Sequence, residues 1–280
     1  MKHSIFNILS TIITVGISFS IQGCDDYTID SPRKAVIEGY FCSGDHPYVI
    51  FSSSVVPSIS GNVADAVINW GKVTISDEDT TIVLTGRVDD SYIPPYVYYS
   101  FDMVGIPGKT YSVSAEFKDL KAHASMKMPY PVAIDSITLS TTDIDTLRAA
   151  TLHLTSPEET PSYFYISMKK NDNGQRMLPC MMGTIKTDLP GAHYSIPVLH
   201  PRVKMDSTQY ISQLIVGEEW TVSLNRIESP VYNFWKSYDD MVMFSTSPFI
   251  STTESLPTNI IGGFGIWSVE GSFQTKLKVE

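Results

Sequence analysis

The sequence predicts a mainly β fold of two β-sandwich domains, of the immunoglobulin-like or Greek-key kind, with one amphipathic helix in the second domain. Three observations support this prediction. Short segments rich in Val, Ile, Tyr, Thr and Phe recur from residue 34 onward, separated by Gly, Pro, Asp and Ser clusters. Met128-Pro129-Tyr130-Pro131 interrupts the series as a linker would, because two prolines hold the chain extended. Only one later stretch has helical spacing.

The first predicted domain covers residues 34–129. In one strand, Tyr111, Val113 and Ala115 alternate with polar residues, as a strand with one buried face requires. Its seven predicted strands are 34–41, 48–55, 67–76, 80–86, 96–101, 111–117 and 122–128. Ile106-Pro107-Gly108-Lys109 and Asp77-Glu78-Asp79 mark turns. The acidic triplet lacks the spaced oxygen ligands of a calcium loop, so it predicts a solvated turn.

The second predicted domain covers residues 132–280. Its predicted strands are 133–140, 150–155, 163–169, 210–216, 220–226 and 272–279. Residues 179–210 have no clear periodicity and contain three further prolines, which predicts a long connection with at most a short strand.

A helix is predicted over residues 230–243. Ser229 can cap it and Pro230 suits its first position. The apolar residues that follow lie on one face at a spacing of three and four, which favours packing into a core over a ligand platform. They are Val231, Phe234, Trp235, Tyr238, Met241 and Val242.

The first 23 residues have the order of an export signal. Lys2 and His3 precede an apolar stretch from Ile5 to Ile21, which is short for a permanent membrane span. The stretch ends at Ile21-Gln22-Gly23-Cys24, which resembles the lipobox of bacterial lipoproteins although Gln22 departs from the usual small or apolar residue. We therefore expect cleavage before Cys24, lipid on that cysteine, and a tether over residues 24–33. An ordinary secretory signal with a coincidental cysteine is the alternative.

The charge of the chain argues against two kinds of partner. Thirty acidic and 20 basic residues give a formal net charge of −10, and the linear sequence contains no cluster of Lys and Arg. Binding to nucleic acid or to an anionic lipid surface depends on such clusters, so the sequence predicts neither. The expected membrane contact is the lipid on Cys24.

Two cysteines remain in a compartment that permits disulfides. Cys42 and Cys180 could pair across a long loop, which would stabilise the fold by constraining the unfolded chain. Two separately buried thiols are the alternative, and the sequence leaves both open.

The sequence offers no motif for catalysis, a metal or a cofactor. No histidine pair has metal-ligand spacing, and no nucleophile elbow or phosphate-binding loop occurs. We read Gly262-Gly263-Phe264-Gly265 as a turn where one backbone approaches another strand closely. The remaining candidate ligand residues are Tyr92 and Tyr99, whose rings could stack on a sugar.

The order of several short motifs resembles the Bacteroidota lipoprotein family known as domain of unknown function 4249. These motifs are residues 35–40, Pro107–Tyr111, Met128-Pro129, Asp135–Ile137 and Asn259–Gly265, after a lipobox that acidic residues follow. Members of that family are commonly encoded beside TonB-dependent outer-membrane receptors, so the resemblance implies a role in nutrient capture or envelope assembly. It supplies no catalytic residues.

The resemblance also bears on localisation. In that phylum, acidic residues after the lipidated cysteine are similar to a signal for export to the cell surface, and Asp25 and Asp26 fit it. We expect a surface-facing outer-membrane lipoprotein that is not an enzyme and that binds a receptor, a peptide or another nutrient. A glycan-binding module is the alternative, and a hydrolase with a site assembled from scattered residues is a third.

Overall fold

The structure is a computed structural model, and it describes residues 33–54, 66–92, 94–171, 176–200, 205–206, 209–210, 213–244 and 256–280. Arg33–Glu280 forms a single compact unit. Strands and one helix make up the regular structure of these described ranges, so the prediction of a mainly β fold is confirmed. Within them, no helix is both long and apolar enough to cross a bilayer.

Eight strands precede the linker at residues 128–131. They are β1 (Ala35–Cys42), β2 (Tyr48–Ser53), β3 (Lys72–Ser76), β4 (Thr81–Val83), β5 (Thr85–Val88), β6 (Tyr96–Tyr99), β7 (Thr110–Phe117) and β8 (Leu120–Lys127). The turn predicted at Asp77 joins the paired strands β3 and β4, and the turn predicted at Pro107-Gly108 lies in the connection from β6 to β7, which belong to different sheets. Asp77 accepts hydrogen bonds from the backbone N–H groups of Asp79 and Thr80, at 3.0 and 2.8 Å.

Ten strands and helix α1 (Ser229–Phe244) follow the linker. The strands are β9 (Ser136–Thr141), β10 (Leu147–Thr155), β11 (Ser162–Lys170), β12 (Leu178–Thr187), β13 (His193–Val198), β14 (Met205–Asp206), β15 (Gln209–Tyr210), β16 (Leu214–Ile215), β17 (Glu219–Ile227) and β18 (Gly263–Lys278). The helix agrees with its predicted position to within one residue at each end.

One sheet of eight strands runs through the molecule in the order β12-β11-β17-β18-β1-β2-β6-β5. A four-stranded sheet, β4-β3-β7-β8, covers the part around β1. A second four-stranded sheet has β10 at its centre, with β9 on one side and β13 and β16 on the other, and covers the part around β17.

The last strand, β18, belongs to both parts of the large sheet. Its first half, Gly263–Glu270, pairs parallel with β1, and its second half, Gly271–Lys278, pairs antiparallel with β17. A Cβ atom at Gly271 would collide with the backbone of the linker at Pro129, so the linker crosses β18 where its partner changes. Strands from both sides of the predicted boundary therefore share one sheet.

Two hydrophobic cores form between the sheets. The first core contains large aromatic side chains, among them Phe41, Tyr111 and Trp267. The second core is mainly aliphatic and contains Leu152 and Leu154 of β10. Val231 and Phe234 of α1 are also buried, where the helix packs on β11, β12 and β18 of the large sheet, which confirms that the apolar face of the helix packs inward.

The expectation of a long connection over residues 179–210 is wrong, because β12 and β13 occupy much of it. Pro179 lies in β12 and Pro197 in β13, and prolines usually argue against a strand. Both strands lie at an edge of their sheets, where a strand has one unpaired side and can tolerate a residue without an N–H group.

The final strand begins nine residues earlier than predicted, at Gly263 instead of Ser272. The glycines that suggested a turn lie in close contact with β1. Gly265 has a φ of +104°, and a Cβ there would collide with the carbonyl oxygen of Ile37. The predicted close approach of two backbones is thus confirmed, within a strand instead of a turn.

Candidate functional site

A layer of polar and aromatic side chains lies on the face of the large sheet that points away from the first core. Strand β1 sends Ile37 and Phe41 into that core, so alternation places Glu38, Tyr40 and Cys42 on the opposite face. In the same way Trp267 and Val269 of β18 enter the core, while Ser268 and Glu270 share the face with Cys42.

Glu270 is the centre of this layer, and its side chain is almost completely buried. The hydroxyl of Tyr165 lies 2.7 Å from each carboxylate oxygen, between which its one hydrogen is shared, and the hydroxyl of Ser268 donates to Oε1 at 2.6 Å. The thiol of Cys42 lies 3.4 Å from Oε2. Burial raises the pKa of the Glu270 carboxyl, and the hydrogen bonds from Ser268, Tyr165 and Cys42 offset part of that rise. We name Glu270, Tyr165, Ser268 and Cys42 the Glu270 cluster.

An amide network continues from this cluster along the same face of the sheet, across β11, β17 and β18. The buried Asn225 donates through Nδ2 to Ser167 Oγ at 2.8 Å. Its Oδ1 accepts from Ser223 at 2.7 Å and from Ser272 at 2.8 Å. The hydrogen-bonding capacity of a buried amide is therefore largely satisfied by β11, β17 and β18 together.

A row of tyrosines continues from the cluster in the other direction, across β1, β2 and β6. Tyr40 pairs with Tyr48, and Tyr48 pairs with Tyr99, so the three side chains are on one face of the sheet. The rings of Tyr40 and Tyr48 stack with centroids 5.3 Å apart, and Tyr92 packs on Tyr48 at 5.5 Å. We name Tyr40, Tyr48, Tyr92 and Tyr99 the tyrosine row.

Two arginines cover rings of this row. The guanidinium of Arg176 lies 4.5 Å from the centroid of Tyr92, and that of Arg87 lies 4.3 Å from the centroid of Tyr99. Burial raises the pKa of Tyr40, Tyr48 and Tyr92, while the positive charge of Arg176 lowers it. Arg176 Nε is buried and has no hydrogen-bond partner among the described residues.

Helix α1 packs on the same face near the Glu270 cluster. The ring of Trp235 lies 5.7 Å from that of Tyr165, and Trp235 Nε1 is buried with no hydrogen-bond partner in the part of the chain that the structure describes. Asp239 accepts a hydrogen bond from Thr184 of β12 at 3.3 Å, and burial raises the pKa of Asp239. The helix thus attaches the edge strand β12 to the centre of the sheet.

The chemistry of the Glu270 cluster favours structure over catalysis. Burial raises the pKa of the Cys42 thiol well above its ordinary value, so the thiol form predominates and a thiolate nucleophile is disfavoured. Each polar group of the cluster is engaged by another group of the chain. Among the described residues, no group of three or more His, Cys, Asp or Glu side chains is placed to hold a metal ion.

The sequence-predicted site residues fall in two places. Cys24, Asp25 and Asp26, the predicted lipidation site and sorting signal, lie outside the described residues. Tyr92 and Tyr99, the predicted stacking residues, are half-buried, and both adjoin Tyr48. Cys42 and Cys180 are free thiols, which corresponds to the second of the two alternatives for these cysteines.

Sequence reasoning missed the Glu270 cluster and Arg176. The sequence contained one signal of a buried carboxyl. Glu270 is the one charged residue in the run 266–272, whose other residues are apolar or small. A buried carboxyl needs partners, and Tyr165, which lies 105 residues earlier in the chain, could not be paired with it by local pattern.

The fold and this site define a class of protein with two hydrophobic cores, a strand common to both, and a buried polar layer on one sheet. The chain belongs to the family described as domain of unknown function (DUF4249), whose model matches residues 25–275. A search among curated proteins gave no match. One similar solved structure is described as "Cytokine receptor complex - Crystal form 1A", at 7% identity and a TM-score of 0.25, covering 86% of this chain and 95% of that one.

Proposed function

We propose that this chain is an outer-membrane lipoprotein, surface-facing and non-enzymatic, that binds a partner on behalf of a nutrient-uptake system. The observation that carries the proposal is Cys24, which follows an apolar stretch of export-signal length and a small residue. Strand β1 begins at Ala35, so about ten residues separate the acceptor cysteine from the first sheet. A lipid on Cys24 would hold the body close to a bilayer.

The anchor is tested by mass spectrometry of the native protein and by membrane fractionation. We expect a diacylated or triacylated N-terminal cysteine at position 24. Cys24→Ser should abolish lipid attachment and cleavage before residue 24, so the chain should keep its signal segment and be lost from the outer-membrane fraction. Cys42→Ser is the matched control, because Cys42 lies in the folded body and should leave processing and partitioning unchanged. An unmodified N-terminus would overturn the proposal.

The non-enzymatic part of the proposal is supported by the character of the polar layer. The Glu270 cluster is engaged in internal hydrogen bonds, and the nearby thiol is held protonated. The family resemblance suggests a TonB-dependent outer-membrane receptor as the partner. Cross-linking in intact cells followed by purification should recover such a receptor with the lipidated protein. Recovery of the protein alone, at a cross-linker dose that captures a known envelope complex, would contradict the partnership.

A glycan-binding surface is the second candidate, and the tyrosine row favours it. Tyr99 and Tyr92 flank Tyr48 with arginines over their rings, an arrangement that offers aromatic surface and hydrogen-bond donors together. Tyr92→Ala and Tyr99→Ala should each reduce retention on immobilised polysaccharide. Tyr130→Ala is the control, since Tyr130 is exposed and lies in the linker. Equal retention of all three variants and the unsubstituted protein would exclude this candidate.

A further inference from the structure

The fold assembles a basic and apolar surface at the end of the first core where the described chain begins. Strand β1 starts there, opposite Gly263 of β18 and Ser53 of β2. The hairpin of β7 and β8 reaches the same end, because Ile261 bridges to His123 of β8 with hydrogen bonds of 2.8 and 3.0 Å. Four separate chain segments therefore meet at this end.

Two large apolar side chains are exposed there. Ile261 is 63% exposed and Phe264 is 42% exposed. The ammonium group of Lys34 lies 4.8 Å from the centroid of the Phe264 ring, which places a positive charge beside the apolar surface. Exposed apolar residues of this size beside a cation fit an interface that is part hydrocarbon and part anionic.

The net charge at this end is positive, whereas the net charge of the whole chain is negative. Arg33, Lys34, Lys118 and Lys121 are all exposed. Lys72 of β3 pairs with Glu116 of β7, and Glu116 in turn pairs with Lys121 of β8. Lys72 therefore lies beside these residues. Of the described residues here, the acidic ones are Glu116 and Asp119, while the whole chain carries −10. The linear sequence showed no basic cluster because these residues come from distant segments.

We propose that this surface, formed by Arg33, Lys34, Lys118, Lys121, Ile261 and Phe264, rests on the phosphate-bearing surface of the bilayer that holds the anchor. The inference rests on the proposed lipid at Cys24. Ten peptide steps separate Cys24 from Lys34 and span at most about 35 Å when extended, so the tether keeps this end near the lipid without fixing its orientation. Ile261 and Phe264 then enter the interface, and the basic side chains meet the phosphates.

The experiment places a fluorophore on the full-length lipidated protein in vesicles of phosphatidylcholine and phosphatidylglycerol that contain a spin-labelled lipid. Ile261→Cys is compared with Ile144→Cys, because Ile144 is of the same type and 52% exposed but lies in the β9–β10 connection. The unsubstituted protein reports any labelling of Cys42 and Cys180. We expect quenching at position 261 to exceed that at 144 by about twofold or more, as burial in the interface requires.

A charge variant gives a second readout. Lys34→Gln should reduce the quenching at position 261, and Lys276→Gln, an exposed lysine of β18 near the second core, should leave it unchanged. Equal quenching at 261 and 144 in protein that floats with the vesicles overturns this inference alone. Protein that does not float overturns the anchor, and with it this inference.

Discussion

The two hydrophobic cores of this protein are built from different side chains, although β18 contributes to both. In the first core the rings of Phe41 and Tyr111 meet edge to face with centroids 4.6 Å apart, and Trp267 Nε1 donates to the Tyr111 carbonyl at 3.0 Å. The second core packs Leu152 and Leu154 against mainly aliphatic side chains. Aromatic rings and a buried N–H group require particular geometry, whereas aliphatic side chains chiefly require volume. The first core should therefore tolerate substitution less well.

The largest expected effect comes from removing the shared strand. A fragment of residues 34–131 lacks β18, and with it the parallel partner of β1 and the buried Trp267. We expect this fragment to show no cooperative unfolding transition by circular dichroism, whereas residues 25–280 unfold in a cooperative transition. A cooperative transition in the fragment would show that the first core is stable without β18.

Substitutions within the cores should come next in size. Trp267→Leu removes ring contacts with Phe41 and leaves the Tyr111 carbonyl without its donor, so we expect a loss of about 3 kcal/mol or more in the free energy of unfolding. Leu154→Met conserves volume in the second core and should cost less than about 1.5 kcal/mol. Denaturant titration of both variants measures these two losses. Similar losses in free energy of unfolding would show that the two cores do not differ in their tolerance of substitution.

The Glu270 cluster lies where β18 changes partners, and its substitution should show a smaller, pH-dependent effect. Glu270→Ala leaves the hydroxyls of Tyr165 and Ser268 without their acceptor and should cost about 1–3 kcal/mol. Glu270→Gln keeps an acceptor oxygen in place and removes the buried charge, so at neutral pH it should cost less than Glu270→Ala.

The pH dependence has a definite sign. Burial raises the pKa of folded Glu270 above the ordinary value of 4.5, so the folded state binds more protons than the unfolded state between those two pKa values. The contribution of Glu270 to the free energy of unfolding therefore decreases as the pH rises from about 4.5 through the raised pKa. Glu270→Gln should flatten this dependence in denaturant titrations across that range. An unchanged slope would show that Glu270 does not titrate there.

The smallest effect is expected on the solvent face of α1. The ammonium of Lys236 pairs with Asp240 one helical turn later at 2.5 Å, and both side chains are about half exposed. Lys236→Ala should change the free energy of unfolding by only about 0.3–0.5 kcal/mol, because water and salt screen an exposed pair. A loss above about 1 kcal/mol in 0.15 M salt would mean that the lysine stem supports the packing of the helix.

The sequence by itself determined the features that depend on neighbouring residues. Alternation in Tyr111–Phe117 placed β7 correctly, Ser229-Pro230 located the start of α1, and the glycines at 262–265 indicated a close backbone approach. These features follow from side-chain period, capping and φ preferences, which act over a few residues.

The tertiary structure decided what depends on distant residues. It assigned Pro179 and Pro197 to edge strands, made β18 common to both cores, and brought Tyr165 to Glu270 and Lys121 to the start of β1. No local pattern encodes these pairings, because strand partners are chosen by burial of whole faces and by hydrogen bonds between segments far apart in the chain.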